Sequence, residues 1–170
     1  RDIIVAMDTS RSMLAQDIQP NRLARAKLAA LDLLKIAQYD RLGVVAFAGT
    51  AFLQCPLTLD DEAFRQSIEI LKPGIIPQGG SALAEAITTA RDAFSDEEGN
   101  NHKIIVLFTD GEDHEQGVLE QARVALDRLG ANADPMGGTF GVEHDAGFIV
   151  LGQQGIERAD LFDETAIAGR

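Results

Sequence analysis

The sequence predicts an α/β domain in which a mostly parallel central sheet is wrapped by helices and has one antiparallel edge strand. The segments Ile3–Met7 and Lys103–Thr109 contain short, β-branched-rich apolar runs without alternation, which is typical of strands covered on both faces. Amphipathic helical patterns separate these strands, as parallel pairing requires. Arg41–Ala48 and Ala51–Cys55 are separated only by Gly49 and Thr50, and so short a turn joins antiparallel strands.

The helices are predicted from apolar side chains that recur every three or four residues. Asn21 is suited to cap the first helix, and the acidic tract Asp60–Glu62 places favourable negative charge at the start of the second. Pro56 is expected to close the edge strand because proline has no N–H for the ladder. The predicted elements in chain order are strand Ile3–Met7, helix Leu23–Gln38, strands Arg41–Ala48 and Ala51–Cys55, helices Asp60–Leu71 and Ala82–Phe94, strand Lys103–Thr109 and helix Val118–Leu129.

The last quarter of the chain has a weaker pattern. Proline and glycine interrupt the stretch after Gly130, where only Thr139–Val142 and Phe148–Leu151 indicate strands and Ala159–Ala168 indicates a closing helix. A length of 170 residues predicts one domain over 1–170, with the topology of 131–170 left open.

Composition excludes several classes of partner. The chain has 15 Lys and Arg residues against 27 Asp and Glu residues, and the net charge of -12 would repel nucleic acid or an anionic membrane surface. Cys55 is the only cysteine, so neither an internal disulfide nor a cysteine-rich zinc site is possible. No apolar stretch reaches the roughly 18 residues of a membrane span. Because Arg1 directly precedes a strand, we expect the chain to be a domain of a longer protein.

Asp8, Ser10 and Ser12 follow the first predicted strand at a spacing of two residues. In an extended loop this spacing puts one carboxylate and two hydroxyls on one side, with Thr9 and Arg11 facing away. Ligands bind at the carboxyl ends of strands in open α/β sheets, and hard oxygen donors suit Mg²⁺, Mn²⁺ or Ca²⁺. The alternative is that these side chains satisfy the loop backbone or cap the next helix.

Two later positions resemble the first loop in their placement. Asp110 ends a second buried strand before Gly111, and Ser81 follows two glycines and precedes a helix. Taken alone, each position has a structural alternative: Ser81 as a helix cap and Asp110 as a turn residue. Together with the first loop they predict a metal site of five oxygen ligands, which leaves the cation able to attract a carboxylate from a partner. The predicted ligands are Asp8, Ser10, Ser12, Ser81 and Asp110.

The sequence shows no enzyme motif. It lacks a glycine-rich phosphate loop with lysine, a Gly-x-Ser-x-Gly elbow and a His-Glu-x-x-His pair. The runner-up hypothesis is a Mg²⁺-dependent phosphatase or phosphoacceptor that uses Asp8, although haloacid-dehalogenase-type phosphatases favour a second aspartate where Ser10 stands. A third hypothesis is a scaffold that binds no metal.

The segments Asp8–Ser12, Gly80-Ser81 and Thr109–Glu112 resemble the metal-ion-dependent adhesion site of von Willebrand factor A domains. The resemblance implies a Rossmann-like three-layer sandwich, with Mg²⁺ or Mn²⁺ at the top of the sheet held by the five predicted ligands. Family members more often carry threonine where Ser81 stands, and serine keeps the hydroxyl.

A closer likeness is to the bacterial aerotolerance-type (Bat) proteins of this family. It implies a non-catalytic domain that binds a partner's Asp or Glu, within a longer membrane-anchored protein at the periplasmic face of the bacterial inner membrane, linked to stress tolerance and complex assembly. In these proteins a continuous strand is expected after the helix that begins at Val118. In this chain the corresponding stretch, 132–147, is interrupted by proline and glycine. The matching segments are Ser10–Met13, Pro20–Leu23, Val45–Gly49, Gln54–Thr58 and Gly111–His114.

Overall fold

A computed structural model describes residues 1–76, 82–94 and 102–109, and the backbone of a strand at 148–152. A short 3₁₀ turn follows the first strand at Arg11–Leu14. The helices and strands are β1 (Asp2–Asp8), α1 (Arg22–Ile36), β2 (Arg41–Phe47), β3 (Ala51–Thr58), α2 (Asp61–Glu69), α3 (Leu83–Ala93), β4 (Lys103–Phe108) and β5 (Phe148–Gly152).

The strands form one sheet in the order β3-β2-β1-β4-β5. The central strand β1 runs parallel to β2 and β4, while β3 and β5 pair antiparallel at the two edges. The α/β class, the parallel centre and the antiparallel edge at β3 are confirmed. The structure adds a second antiparallel edge at β5, in the part of the chain whose topology the sequence left open, because a long connection permits either direction and local sequence does not select it.

The register brings the carboxyl ends of the central strands to one edge of the sheet. Asp8 pairs with Phe47, and Met7 pairs with Phe108. The residues that follow these three strands therefore emerge side by side, as expected of parallel strands.

Both faces of β1 are covered, which explains its continuous apolar sequence. Ile3, Val5 and Met7 pack into the layer that contains α1 and α2, and Ile4 and Ala6 pack into the layer that contains α3. All seven residues of β1 are buried. The three-layer arrangement implied by the family resemblance is confirmed.

Side-chain caps fix the starts of two helices. The Oδ1 atom of Asn21 accepts a hydrogen bond from the Ala24 N–H at 2.8 Å, which confirms the predicted cap of α1. Asp60 caps α2 by accepting from the N–H groups of Glu62 and Ala63 at 3.0 and 3.1 Å. These caps set where the chain enters each helix and how it packs on the sheet.

The sequence predicted that strand β3 closes at Pro56. In the structure the strand continues to Thr58. The register shifts between the pairs Leu42–Thr58 and Val44–Cys55, so Pro56 lies in an irregular part of the ladder. Proline is tolerated at an irregularity of an edge strand because no ladder hydrogen bond is needed from its nitrogen.

Several predictions fall outside the described residues. They are Ser81, Asp110, helix Val118–Leu129, strand Thr139–Val142 and helix Ala159–Ala168. The extent of a single domain over 1–170 also stays a prediction. Among the helices that the structure describes, none is long and apolar enough to cross a membrane.

Candidate metal centre

The site is built around Asp8, the last residue of β1. Its side chain is fully buried, at 0% exposure. The Oδ1 atom accepts a hydrogen bond from the backbone N–H of Ser10 at 2.8 Å, which turns the chain immediately after the strand. The carboxylate is therefore oriented by the loop that also carries Ser10 and Ser12.

The two hydroxyl groups of this loop are adjacent. The Oγ atoms of Ser10 and Ser12 lie 2.8 Å apart and share a hydrogen bond, and both residues are half-buried. Ser12 belongs to the 3₁₀ turn, which Met13 anchors in the core with 3% exposure. The predicted grouping of Ser10 and Ser12 on one side of the loop is thus present in the structure.

Thr109 holds the other oxygen of Asp8. Its Oγ1 atom donates a hydrogen bond to Asp8 Oδ2 at 3.0 Å, and the residue is 3% exposed. Thr109 directly follows β4, so the pairing of β4 with β1 brings it beside Asp8. The sequence motif included Thr109 but assigned it no role; the signal was its position after a strand that neighbours β1.

Four further hydrogen bonds tie the neighbouring loops to this edge. Thr9 points away from the ligand side, as predicted, and both its N–H and its hydroxyl donate to the carbonyl oxygen of Phe47, at 2.7 and 3.0 Å. The Ala82 N–H donates to the carbonyl oxygen of Ala48, which fixes the approach to α3 at the end of β2. The turn after β2 is also joined to α3, since the Thr50 hydroxyl donates to Glu85 Oε1 at 2.6 Å.

The described residues fit a hard divalent cation. Asp8, Ser10 and Ser12 offer only oxygen donors, which Mg²⁺ and Mn²⁺ prefer. An ionised carboxylate has about four lone-pair sites, which is more than the two hydrogen bonds described for Asp8 occupy. Ser81 and Asp110, the other two predicted ligands, lie outside the described residues and stay predictions.

Comparison with known proteins agrees with this fold and loop arrangement. The sequence model of the von Willebrand factor type A (VWA) domain family matches residues 3–112 of this chain. The chain belongs to this family. The match includes all three ligand-bearing loops of the predicted site, and the resemblance stated from the sequence is confirmed. Domains of this family are in general non-catalytic and mediate protein–protein interactions.

Two solved structures of Bat-type proteins are similar to this VWA domain. BatB from Bacteroides thetaiotaomicron is 40% identical, with a TM-score of 0.71, and the match covers 75% of this chain and 62% of that chain. An aerotolerance-related membrane protein from Bacteroides fragilis is 32% identical, with a TM-score of 0.69, and the match covers 88% and 80%. The likeness to Bat proteins is therefore confirmed at the level of sequence and fold.

A curated relative, a UPF0353 protein of Mycolicibacterium paratuberculosis, is 31% identical over 134 residues, which cover 72% of this chain. The chain spans about two fifths of the length of that relative. Proximal thread matrix protein 1 of the mussel byssus shares the fold, with a TM-score of 0.60 and 23% identity over 75% of this chain and 33% of that chain. The structure of that protein has zinc in its metal-ion-dependent adhesion site.

Proposed function

We propose that this VWA domain binds a divalent cation, Mg²⁺ or Mn²⁺, through Asp8, Ser10, Ser12, Ser81 and Asp110, and uses it to hold a carboxylate of a protein partner. The observation that carries the proposal is the first loop itself. The buried carboxylate of Asp8 is held from two sides while the hydroxyls of Ser10 and Ser12 lie together. Such preorganisation is typical of a ligand-binding loop.

The neighbours of the two remaining ligands support the five-residue set. Ala82, which follows Ser81 in the chain, is hydrogen-bonded to Ala48 at the end of β2. Thr109, which precedes Asp110, is hydrogen-bonded to Asp8 itself. The described residues next to Ser81 and Asp110 in the chain therefore lie at the edge of the sheet where the first loop lies.

The accessible side of the site favours recognition of a ligand from outside. Asp8 is fully buried, whereas Ser10 and Ser12 are partly exposed, so a partner approaches from the hydroxyl side. A bound cation would supply an electrophilic centre for an incoming Asp or Glu side chain. Neutral hydroxyls at three of the five ligand positions leave the cation with charge to attract that group.

The similar Bat-type structures support a membrane-associated setting for the parent protein. One of them is described as an aerotolerance-related membrane protein. We place this domain at the periplasmic face of a bacterial inner membrane, in a complex that serves stress tolerance or assembly. The phosphoacceptor hypothesis has less support because Ser10 stands where haloacid-dehalogenase-type phosphatases favour a second aspartate.

The test is a calorimetric titration of Mg²⁺ and Mn²⁺ into the wild-type domain, Asp8→Ala and Asp32→Ala, at moderate salt that screens diffuse attraction to the acidic surface. Asp32 is an exposed aspartate on α1 and serves as the matched control. We expect one site in the wild type and in Asp32→Ala, and an affinity at least about 100-fold lower in Asp8→Ala. Equal binding in all three proteins, or none, would leave only the metal-free scaffold.

The ligands outside the described residues need their own variants. Ser81→Ala and Asp110→Ala should each weaken the same site, and Ser81→Thr should retain it because the hydroxyl is kept. Full metal affinity in Asp110→Ala would remove this residue from the ligand set.

A further inference from the structure

The 3₁₀ turn that carries Ser12 also presents two exposed side chains. In a 3₁₀ turn, residues three apart lie on the same side, so Arg11 and Leu14 share a face. Met13 is buried beneath the turn, while Arg11 is exposed and Leu14 is 48% exposed. We name Arg11 and Leu14 together the turn surface.

Arg11 differs from most arginines of the described chain. Five of them form ion pairs with a carboxylate, whereas Arg11 and Arg25 form none with any residue that the structure describes. This is unexpected in a chain with 27 acidic and 15 basic residues. The five paired arginines are Arg1, Arg22, Arg41, Arg65 and Arg91.

Charge makes an exposed arginine important at this place. A net charge of -12 repels an acidic partner at long range, so a carboxylate-bearing segment needs local positive charge where it lands. Arg11 is the first residue of the 3₁₀ turn and stands between Ser10 and Ser12 in the chain, so its exposed side chain leaves the same loop that carries these two proposed ligands. Leu14, at 48% exposure, adds an apolar side chain on the same face of the turn.

We propose that the turn surface selects the partner: Arg11 pairs with a second carboxylate of the bound segment, and Leu14 packs against an apolar side chain of the same segment. This inference rests on the proposed function, since the first carboxylate is the one held at the metal. The occupant is an extended segment of a partner protein in which two acidic residues and one apolar residue alternate with residues that face away.

The spacing of the turn surface suits an extended segment. Three residues at the 3₁₀ rise separate Arg11 and Leu14 by about 6 Å along the turn. Side chains at positions i and i+2 of an extended chain are separated by about 6.6 Å. One side of a strand-like peptide can therefore contact both members of the turn surface.

The test uses three synthetic peptides with alanines at the intervening positions. The full peptide has aspartate, glutamate and leucine at every second position; one control replaces the glutamate with glutamine, and the other replaces the leucine with alanine. Binding is measured by NMR titration in saturating Mg²⁺. The domain is used as wild type, Arg11→Gln, Arg11→Glu, Leu14→Ala and, as matched control, Arg25→Gln.

For the wild type and Arg25→Gln, we expect the full peptide to bind about threefold tighter than the glutamine control, as for an exposed ion pair. Arg11→Gln should bind both equally, and Arg11→Glu should prefer the glutamine control. Leu14→Ala should lose the preference for leucine over alanine, about threefold for a partly buried contact. Unchanged preferences in Arg11→Gln and Leu14→Ala would overturn the inference.

The failures of the two proposals can be distinguished. If every peptide binds in Mg²⁺, binding is lost in Asp8→Ala and Arg11→Gln behaves as wild type, the proposed function stands and the turn surface has no selective role. If no peptide binds at millimolar concentration although calorimetry shows the Mg²⁺ site, the turn surface inference is rejected and the metal site stands; if the Mg²⁺ site is absent as well, both are rejected. Analytical sedimentation tests whether the domain associates with itself. Self-association that requires Mg²⁺ and is lost in Arg11→Glu would show that the turn surface binds a second copy of the domain and would overturn the proposal of a different partner protein.

Discussion

The two ends of β1 each carry a buried aspartate, and their surroundings are opposite in kind. Asp2, at the amino end, is 2% exposed and accepts two hydrogen bonds from the guanidinium of Arg41, at 2.8 and 2.6 Å. Asp8, at the carboxyl end, is 0% exposed, and the donors that the structure describes for it are the Ser10 N–H and the Thr109 hydroxyl.

The difference separates a structural carboxylate from one prepared for a ligand. A guanidinium neutralises the charge that it binds, and the pair then contributes to holding β1 and β2 in register. Amide and hydroxyl donors orient a carboxylate without cancelling its charge. Substitutions near the amino edge should therefore change stability, while substitutions at the carboxyl edge should change metal affinity.

The largest effect on stability is expected for Asp2→Ala. The change leaves Arg41, whose side chain is 33% exposed, without the carboxylate that it binds, and we expect a loss of about 3 kcal/mol in the free energy of unfolding. Urea denaturation measures it, with Asp32→Ala as the control, since the exposed pair of Asp32 with Lys35 should contribute under about 0.5 kcal/mol. Weakened Mg²⁺ affinity in folded Asp2→Ala would break the separation of the two edges.

Gly43→Ala should also destabilise the domain without affecting the metal. A Cβ atom at Gly43 would lie 2.6 Å from Cδ1 of the fully buried Ile4 side chain and 3.1 Å from the backbone carbonyl oxygen of Cys55. We expect a cost of about 2 kcal/mol from overpacking. Gly74→Ala is the comparison: it meets nothing within 4 Å, and only its positive φ of 78° opposes the side chain, at about 1 kcal/mol. A smaller cost at Gly43 than at Gly74 would contradict this account.

Two buried threonines test the carboxyl edge. Thr109→Val removes the hydrogen bond to Asp8, and we expect Mg²⁺ affinity to fall about tenfold, as when a group that orients a ligand is lost. Thr9→Val removes a hydrogen bond to the Phe47 carbonyl instead and should leave metal affinity nearly unchanged. Both variants should lose about 1 kcal/mol of stability, which denaturation can verify. Equal metal affinity in the two variants would mean that Thr109 does not position Asp8.

The elements that local sequence determines were predicted correctly. The uniform apolar run of β1 reflects burial on both faces, and Asn21 caps α1 through a contact only three residues away. Ser10 and Ser12 were grouped from their spacing alone, and their hydroxyls are adjacent in the structure, although Ser12 lies in a 3₁₀ turn and not in the extended loop that the prediction assumed. These features depend on interactions within a few residues, and a single sequence contains them.

The features that sequence reasoning missed depend on strand neighbours. The continuation of β3 past Pro56 requires an irregular ladder with β2, and the direction of β5 follows from its pairing with β4. The role of Thr109 follows from the adjacency of β1 and β4, whose residues are separated by about a hundred positions in the chain. Such long-range pairings are not encoded in local periodicity.

The smallest expected effect concerns Asp17, an exposed counterpart of Asp2. The side chain of Arg22 donates hydrogen bonds to both Asp17 oxygens and lowers the pKa of that carboxyl from its usual 3.8. Because the folded-state pKa is the lower one, the stabilisation is present above the unfolded-state pKa and is lost as pH falls through the folded value. The stability difference between wild type and Asp17→Asn should thus be constant near neutral pH and shrink in acid, and in an Arg22→Gln background it should be independent of pH. A difference of the same size at every pH in the wild-type background would show that the pair affects stability through packing of the arginine rather than through its charge.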